Sequence, residues 1–252
     1  MSTIEESLAG LADEDAPSGL GERVFAGWLT APSRLGDVHV AVTGTGVQYL
    51  RSADATTGET FAEAYRERFG RPLRRLAKPP RGLLPALHGT VTGKQRPDLD
   101  VGELSVFERS VLDVTSRIPA GQVRPYGWVA REAGRPSAVR AAASVLARNP
   151  VPLLVPCHRV VRGTGVLGDY MYGAEAKRDL LREEGLDVDD VDAATARGEL
   201  FVASDTTGIV CFPSCHHARR ITGPHRRPFR RVDAAQAQGF RPCRDCRPAA
   251  VA

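Results

Sequence analysis

The five cysteines of the chain fall into two groups that differ in the chemistry they can support. Cys157 lies alone in the segment VPCHRV, and the other four lie near the C-terminus at Cys211, Cys215, Cys243 and Cys246. A single thiol followed by a histidine suits a nucleophile, whereas four thiols in two short-spaced pairs suit a metal site. In a chain without a secretory signal, both patterns indicate catalysis or metal binding before disulfides.

Length and charge limit the possible functions only loosely. The 252 residues are enough for one large domain or two to three small ones, and the formal net charge is +4. The first 22 residues are acidic, whereas the chain from Arg197 onward holds 10 arginines against 4 acidic residues. This basic end indicates either a polyanion partner or a solvated arginine-rich surface. No signal peptide or membrane-spanning apolar run is recognisable, so we expect a cytoplasmic protein without a membrane partner.

The N-terminal half has the pattern of a small α/β domain. A capping-box pattern predicts a helix over residues 2–11, followed by a flexible joint over 13–21. Alternating valines predict a hairpin over 38–50, and aromatic residues spaced four apart predict a helix over 61–69 with a glycine stop. The proline-rich stretch 71–85 is interpreted as a loop-rich connection.

The next segment has the outline of a helix-turn-helix. Ser105 and Glu108 form a capping-box pattern that begins an amphipathic helix, which Pro119 ends. Two shorter helices are predicted over 126–133 and 137–148, with a Gly-Arg-Pro turn between them. The same outline also fits a plain packing unit.

Taken alone, the residues around Cys157 leave two interpretations open. An apolar run over 151–155 leads into the cysteine, and His158 and Arg159 follow it. A thiol reacts as its thiolate, which a base or a positive charge favours, so this order fits a catalytic cysteine. It also fits a buried structural thiol.

The longer segment around Cys157 is more specific. Residues 149–161, NPVPLLVPCHRVV, resemble the active-site signature of the O6-alkylguanine-DNA alkyltransferases. Residues 118–127, IPAGQVRPYG, resemble the family's lead-in to its helix-turn-helix, and 180–185, LLREEG, resemble its closing helix. The resemblance covers 38–185 and is strongest from Phe107 onward. It implies an α/β ribonuclease-H-like N-terminal domain followed by a helical helix-turn-helix alkyltransferase domain.

The resemblance also implies a reaction and the residues that perform it. Cys157 would take the alkyl group from O6-alkylguanine, and from O4-alkylthymine, in duplex DNA after the nucleotide has been flipped out of the stack. His158 would accept the thiol proton through a water, Glu184 would orient the imidazole, Tyr126 would donate a hydrogen bond to the guanine, and Asn149 would brace the turn. Without the resemblance, Tyr126 fits a core aromatic and Glu184 a surface carboxylate equally well. Because the thioether product is stable, each protein molecule would act once.

DNA contacts are implied in the same way. Arg140 would insert into the duplex, and Ala141 with the two alanines after it would allow close approach to the minor groove. The carbonyl of Val155 and the backbone near Tyr170 would read the base edge. Without the resemblance, Arg140 is a solvated charge. Met171 replaces a small or hydroxyl residue common in the family, which bears on the width of the pocket.

The C-terminal cysteines have the spacing of a zinc site. Three residues separate Cys211 from Cys215, two separate Cys243 from Cys246, and 27 lie between the pairs. This spacing fits a tetrahedral site in which four thiolates hold Zn²⁺. The metal would supply folding energy that so small a core lacks. A redox or disulfide role is the alternative.

The sequence around these cysteines resembles the zinc domain of the Ada proteins. The matching segments are 206–215, TTGIVCFPSC, and 239–248, GFRPCRDCRP. The resemblance implies that Cys211 is a second acceptor, which takes methyl from a DNA phosphotriester, and that alkylation of one thiolate reduces the negative charge of the site and strengthens DNA binding. It also implies DNA contacts by four polar residues, Thr207, Arg219, Arg220 and Arg241. Because the module is C-terminal here and N-terminal in Ada, we predict no transcriptional activation.

These inferences combine into one prediction. A flexible segment 1–22 precedes a ribonuclease-H-like domain over 23–100, an alkyltransferase domain over 101–190 and a small α+β zinc domain over 191–252. The chain is predicted to be a monomeric DNA-repair enzyme. The competing hypothesis is a zinc-dependent DNA-binding sensor whose affinity is switched by cysteine alkylation.

Overall fold

A computed structural model describes residues 24–90 and 96–249. The chain divides into two compact units, Met1–Gly102 and Glu103–Ala252. The predicted segment 1–22, including its helix and joint, lies outside the described residues. Within the described part, no helix is long and apolar enough to cross a membrane.

The first unit is a four-stranded sheet with helices. Its elements in chain order are β1 (Ala26–Ser33), β2 (Gly36–Thr43), β3 (Gly46–Ser52), α1 (Gly58–Phe69), β4 (Leu73–Arg75) and α2 (Leu83–Leu87). The strands lie in the order β3-β2-β1-β4, with β1 to β3 antiparallel and β4 parallel to β1. The predicted hairpin is confirmed as β2 and β3.

Helix α1 covers the sheet with its aromatic face. Thr57 caps its N-terminus, and Gly70 ends it in the left-handed region at φ +66°, so the predicted glycine stop is confirmed. Phe61 and Tyr65 are fully buried against Tyr49 and the rest of the sheet. Each such side chain contributes about 1.5–3 kcal/mol of apolar burial.

The prediction of a loop-rich connection over 71–85 is wrong at two places. Leu73–Arg75 forms β4, and Leu83 begins α2. Strand β4 holds only three residues, too few for an alternating pattern, and its register comes from pairing with β1 rather than from its own side chains.

The second unit begins with a three-helix group and ends with a second small sheet. Its elements are α3 (Val106–Ser116), β5 (Arg124–Pro125), α4 (Tyr126–Glu132), α5 (Val139–Ala147), β6 (Val160–Val161), α6 (Ala174–Glu183), α7 (Val188–Ala196), β7 (Phe201–Ser204), β8 (Ile209–Cys211), β9 (Arg226–Phe229), α8 (Val232–Ala237) and β10 (Arg241–Pro242). Helices α3, α4 and α5 contact one another. The capping box at Ser105 and Glu108 is confirmed by both of its hydrogen bonds. The two short helices of the predicted helix-turn-helix are confirmed as α4 and α5.

The chain between the helices and the last sheet positions the functional residues. Strands β5 and β6 pair in parallel, so that Arg124 lies opposite Val160. This pairing places the start of α4 beside the turn that carries Cys157. The last sheet has the order β10-β8-β7-β9, and β8 ends at Cys211.

Candidate active site and metal centre

Cys157 begins a single 3₁₀ turn that Asn149 holds in place. Asn149 is fully buried, and its Nδ2 donates to Val155 O at 2.9 Å and to Cys157 Sγ at 3.2 Å. Its Oδ1 accepts from Val151 N at 3.1 Å. Leu153, inside this loop, has a φ of +71°, a conformation that a branched residue adopts only when its surroundings enforce it. One amide side chain thus fixes the loop and contacts the thiol.

The surroundings of the thiol have opposing effects on its pKa. Burial raises the pKa of Cys157, while the hydrogen bond from Asn149 and the positive charge of Lys177 lower it. The net pKa lies above the ordinary value, so the resting group is a thiol that needs a base to react.

His158 and Arg159, which follow the thiol, share one carboxylate. Glu184 Oε1 accepts from His158 Nε2 at 2.9 Å and from Arg159 Nη2 at 2.8 Å, and its Oε2 accepts from Arg159 Nε at 2.8 Å. Arg159 Nη1 also donates to Ile118 O at 2.6 Å. The side chains of His158 and Glu184 are 0 % and 3 % exposed. The structure therefore brings together the predicted base and orienting acid, directly after the predicted nucleophile in the chain.

Glu184 is held ionised by these partners. Burial would raise the pKa of Glu184, but hydrogen bonds and charges from His158 and Arg159 outweigh it and hold the pKa well below its ordinary range. Gly121 N also donates to Glu184 Oε2 at 3.1 Å. The carboxylate can thus fix the tautomer and orientation of the imidazole.

Two tyrosines lie near the buried cysteine and histidine. Tyr126 is the first residue of α4, and burial together with the negative charge of a Cys157 thiolate raises its pKa. Its phenol therefore stays protonated and is able to donate a hydrogen bond. The Tyr170 ring meets the His158 ring edge to face, with centroids 6.1 Å apart.

The residues predicted to enter DNA lie on the outside of α5. Arg140 and Ala141 are exposed, whereas Ala142 is fully buried against the core. An exposed arginine beside a small residue leaves this helix surface open to a close partner.

The four remaining cysteines form one cluster. Cys211 ends β8, Cys215 follows in the next loop, and Cys243 and Cys246 follow β10. All four are buried, and their sulfur atoms lie within 4.8 Å of one another. Four thiolates at about 2.3 Å from a central ion fit this spacing. The cluster therefore fits Zn²⁺, as predicted.

A cleft of about 240 Å³ opens over one of the four thiols. Among the described residues, Cys211 is the cysteine that lines it, together with Thr207, Arg220 and polar neighbours such as His217 and His225. The site therefore has a polar approach with basic groups at Cys211.

The other predicted DNA contacts of this segment lie in different places. Arg241 is exposed at the start of β10, next to β8. Arg219 instead donates to the carbonyl of Gly121, and its Nη1 donates to Gly185 O at 3.4 Å. Two of its donors are thus used within the unit.

The sequence prediction assigned no role to Lys177 or Arg124. Lys177 is 1 % exposed, and its Nζ donates to Val160 O at 2.7 Å and Leu167 O at 2.6 Å. Its spacing from Leu180 and Leu181 places it on the apolar face of α6, which was an available signal. Arg124 is 3 % exposed beside the cysteine cluster, and no local pattern indicates its burial.

Two family models match the second unit. Residues 106–186 match "6-O-methylguanine DNA methyltransferase, DNA binding domain", and residues 189–249 match "Metal binding domain of Ada". Both resemblances predicted from the sequence are confirmed.

Individual relatives agree with these models. A methylated-DNA--protein-cysteine methyltransferase of Methanothermobacter thermautotrophicus is 45% identical over 91 residues, which is 36% of this chain and 51% of the relative. The bifunctional transcriptional activator/DNA repair enzyme Ada of Escherichia coli is 42% identical over 80 residues, 32% of this chain and 23% of the relative. The chain thus spans about half or less of the length of these curated relatives.

Solved structures are similar over a larger share of the chain. The Mycobacterium tuberculosis OGT in complex with DNA has a TM-score of 0.50 at 28% identity. The match covers 63% of this chain and 93% of the M. tuberculosis chain. The M. tuberculosis O6-methylguanine methyltransferase gives a TM-score of 0.50, 28% identity and coverage of 64% and 93%.

Proposed function

This chain joins a DNA-binding domain of the 6-O-methylguanine DNA methyltransferase type to an Ada-type metal-binding domain, and we propose that it repairs DNA by taking alkyl groups onto its own cysteines. The observation that carries the proposal is a pair of buried hydrogen bonds at adjacent residues, from Asn149 to Cys157 and between His158 and Glu184. The substrate is O6-alkylguanine, and O4-alkylthymine, in duplex DNA.

Each catalytic group that we propose has one task in the transfer of the alkyl group. Glu184 occupies His158 Nε2, so the thiol proton passes, through a water, to Nδ1 of the imidazole. Cys157 Sγ then bonds to the alkyl carbon as the bond from that carbon to O6 breaks. Tyr126 donates a hydrogen bond to the departing guanine. The guanine takes up the proton that the thiol released to the imidazole, so it departs as a neutral base. The thioether on Cys157 is stable, so the protein acts once.

Access to the base requires that the nucleotide leave the duplex. Unstacking costs roughly a few kcal/mol and is easiest at a weakened pair. We assign the insertion into the gap to exposed Arg140, with Ala141 allowing the close approach of α5 and the backbone at Tyr170 reading the base. The DNA-bound M. tuberculosis relative supports DNA as the partner.

Mass analysis tests this reaction directly. The full chain is mixed with a duplex that contains one O6-methylguanine, and the cysteine peptides are compared before and after. We expect one methyl group on the Cys157 peptide and none after Cys157→Ala. Transfer that persists in Cys157→Ala would show that another group is the acceptor.

A second acceptor is proposed at Cys211 because the cleft over the zinc centre opens at this thiol. Thr207, Arg220 and Arg241 are the phosphate contacts that we assign there, whereas Arg219 has two donors committed to carbonyls. Alkylation removes one negative charge from the thiolate cluster and so strengthens its interaction with phosphate.

Phosphotriester repair has its own test. The full chain is incubated with a duplex that carries a methyl phosphotriester, and the Cys211 and Cys157 peptides are analysed separately in wild type and Cys157→Ala. Methyl on Cys211 in both proteins supports the assignment. If Cys211 carried no methyl group at full zinc occupancy while DNA binding was retained, the zinc module would bind DNA without accepting a methyl group.

The competing hypothesis, a sensor that binds DNA and is switched by alkylation, differs in the fate of the lesion. A sensor leaves O6-methylguanine in the DNA, whereas a suicide acceptor removes one methyl group per protein molecule. Quantifying residual O6-methylguanine against protein added separates the two.

The finer architecture is part of the same proposal. The strand order β3-β2-β1-β4 with a helix between β3 and β4 supports a ribonuclease-H-like domain over 23–100. The small sheet with α8 supports an α+β zinc domain over 191–252, after an alkyltransferase domain over 101–190. We propose a monomer that acts on DNA in the cytoplasm.

A further inference from the structure

Arg124 is a buried cation whose hydrogen-bond partners are neutral. The residue is 3 % exposed, its Nη1 donates to Val123 O at 2.8 Å, and its Nη2 donates to Gln122 Oε1 at 2.6 Å. A buried guanidinium stays protonated, and its burial is costly unless negative charge lies close by. A source of negative charge is therefore required near this side chain.

The four-cysteine cluster is that source. The Arg124 guanidinium lies 5.3 Å from the Phe212 ring centroid and 5.7 Å from the Trp128 ring centroid. Phe212 directly follows Cys211, and Trp128 Nε1 donates to Cys246 O at 2.9 Å, so both aromatic residues adjoin cysteines of the cluster. Burial lowers the pKa of Arg124, and the charges of all four thiolates oppose that effect.

The backbone directly before β5, the strand that begins at Arg124, is hydrogen-bonded to the metal-binding loop. Val123 N donates a hydrogen bond to Ser214 Oγ at 3.0 Å, and Ser214 Oγ in turn donates to Val123 O at 3.2 Å. Ser214 lies between Cys211 and Cys215, so its position depends on that loop. On its other side, β5 pairs with β6 and leads directly into Tyr126.

We propose that Arg124 is the counter-charge of the zinc-loaded thiolate cluster and that metal binding fixes β5 and the start of α4. Four thiolates around one Zn²⁺ carry two net negative charges, of which the guanidinium balances one. The zinc module then acts as a part of the alkyltransferase site rather than as an appendage. The consequence for Tyr126 rests on the proposed function, but the binding of zinc by the Arg124-supported cluster does not.

Charge and bulk can be separated by two substitutions. Arg124→Lys keeps the charge with a different shape, whereas Arg124→Met keeps an unbranched side chain without charge. Arg117→Met removes an exposed arginine of the same unit and is the matched control. Zinc affinity of each full-length protein is measured by competition with a chromophoric chelator.

Loss of a charge partner beside a metal site weakens binding by about 10- to 100-fold, and we expect this for Arg124→Met. Arg124→Lys should lose less, and Arg117→Met should bind zinc as wild type does. Wild-type zinc affinity in folded Arg124→Met would overturn the counter-charge role. Equal losses in the Lys and Met variants would also overturn it, because shape alone would then explain the effect.

Hydrogen exchange on the wild-type chain tests the link to β5 without any substitution. Removal of zinc should expose the Val123 amide and the segment through Tyr126, and re-addition of zinc should restore protection. Unchanged protection after chelation would overturn the proposed link. Neither measurement involves alkyl transfer, so failure of Cys157 to accept a methyl group would leave both results interpretable.

Discussion

The Glu184 carboxylate meets the His158 imidazole at 2.9 Å in a place where neither side chain is more than 3 % exposed. Water there cannot compete for the hydrogen bond, so the imidazole keeps one orientation. Arg159 satisfies the remaining carboxylate oxygen. The arrangement fixes the imidazole that we propose as the base of the transfer, by a carboxylate that remains ionised.

Acid stability should report this ionisation. The pKa of Glu184 lies below its ordinary value of 4.5, so its contribution to folding is fully present above pH 4.5 and is lost as the pH falls through the folded-state pKa. Glu184→Gln should make the free energy of unfolding less dependent on pH below 4.5. It should also lower that free energy at neutral pH by about 3 kcal/mol, because Arg159 loses its charge partner. Urea unfolding across pH measures both effects. Glu175→Gln, on the exposed face of α6, should keep the wild-type pH dependence of stability. An equally weakened pH dependence in Glu175→Gln would refute the assignment to Glu184.

Asn149 should control the reactivity of the thiol as well as the loop. Asn149→Ala removes the hydrogen bond that lowers the pKa of Cys157, so the thiolate fraction at neutral pH falls, about tenfold for each unit of pKa. It also leaves Val155 O and Val151 N without this partner, at a cost of about 1–3 kcal/mol. The pH profile of Cys157 alkylation by a small electrophile measures the first effect, and denaturant unfolding the second. Ser144→Ala on the exposed side of α5 is the control. An unshifted pH profile in Asn149→Ala would contradict the role of its amide.

Features whose contacts are local in sequence could be predicted, whereas features that depend on distant residues could not. The capping box of α3 and the glycine end of α1 were predictable because the partners lie within four residues. The short strand β4 was missed because its register comes from another strand. The candidate active-site residues could be named from motifs, but their hydrogen-bond geometry could not be predicted.

The burial of Arg124 shows more clearly what the sequence cannot predict. Arg124 and Cys246 are far apart in sequence, and nothing near Arg124 marks it as buried. A charged residue in a two-residue strand normally predicts exposure. Only the assembled unit shows that the Arg124 guanidinium lies against the rings of Phe212 and Trp128, next to Cys211 and Cys246.

Lys177 should make stability depend on pH at the alkaline end. Burial lowers the pKa of Lys177 from 10.5 to about 8, against the opposing charges of Cys157 and Asp169. Between these values the unfolded chain holds a proton that the folded chain has released, so folding becomes more favourable as the pH rises. The stability of wild type relative to Lys177→Met should therefore increase by up to about 3 kcal/mol from pH 8 to 10.5. Thermal unfolding across this range measures the difference, with exposed Lys78→Met as the control. A constant difference would mean that the lysine does not titrate there.

Gly121 should tolerate no side chain, because two requirements coincide at its Cα. Its φ is +67°, and a Cβ there would lie 2.4 Å from Glu184 O and 3.2 Å from Arg219 Nη2. Gly121→Ala must therefore move the chain that supports Glu184 or the arginine that crosses to the metal-binding segment. Gly134 shares the backbone requirement at φ +83° but has open space around it, so Gly134→Ala should cost only about 1 kcal/mol of backbone strain. We expect Gly121→Ala to cost at least twice as much in urea unfolding and to slow methyl transfer to Cys157, while Gly134→Ala leaves the rate unchanged. Equal costs for the two substitutions would show that the contact with Glu184 has no energetic importance.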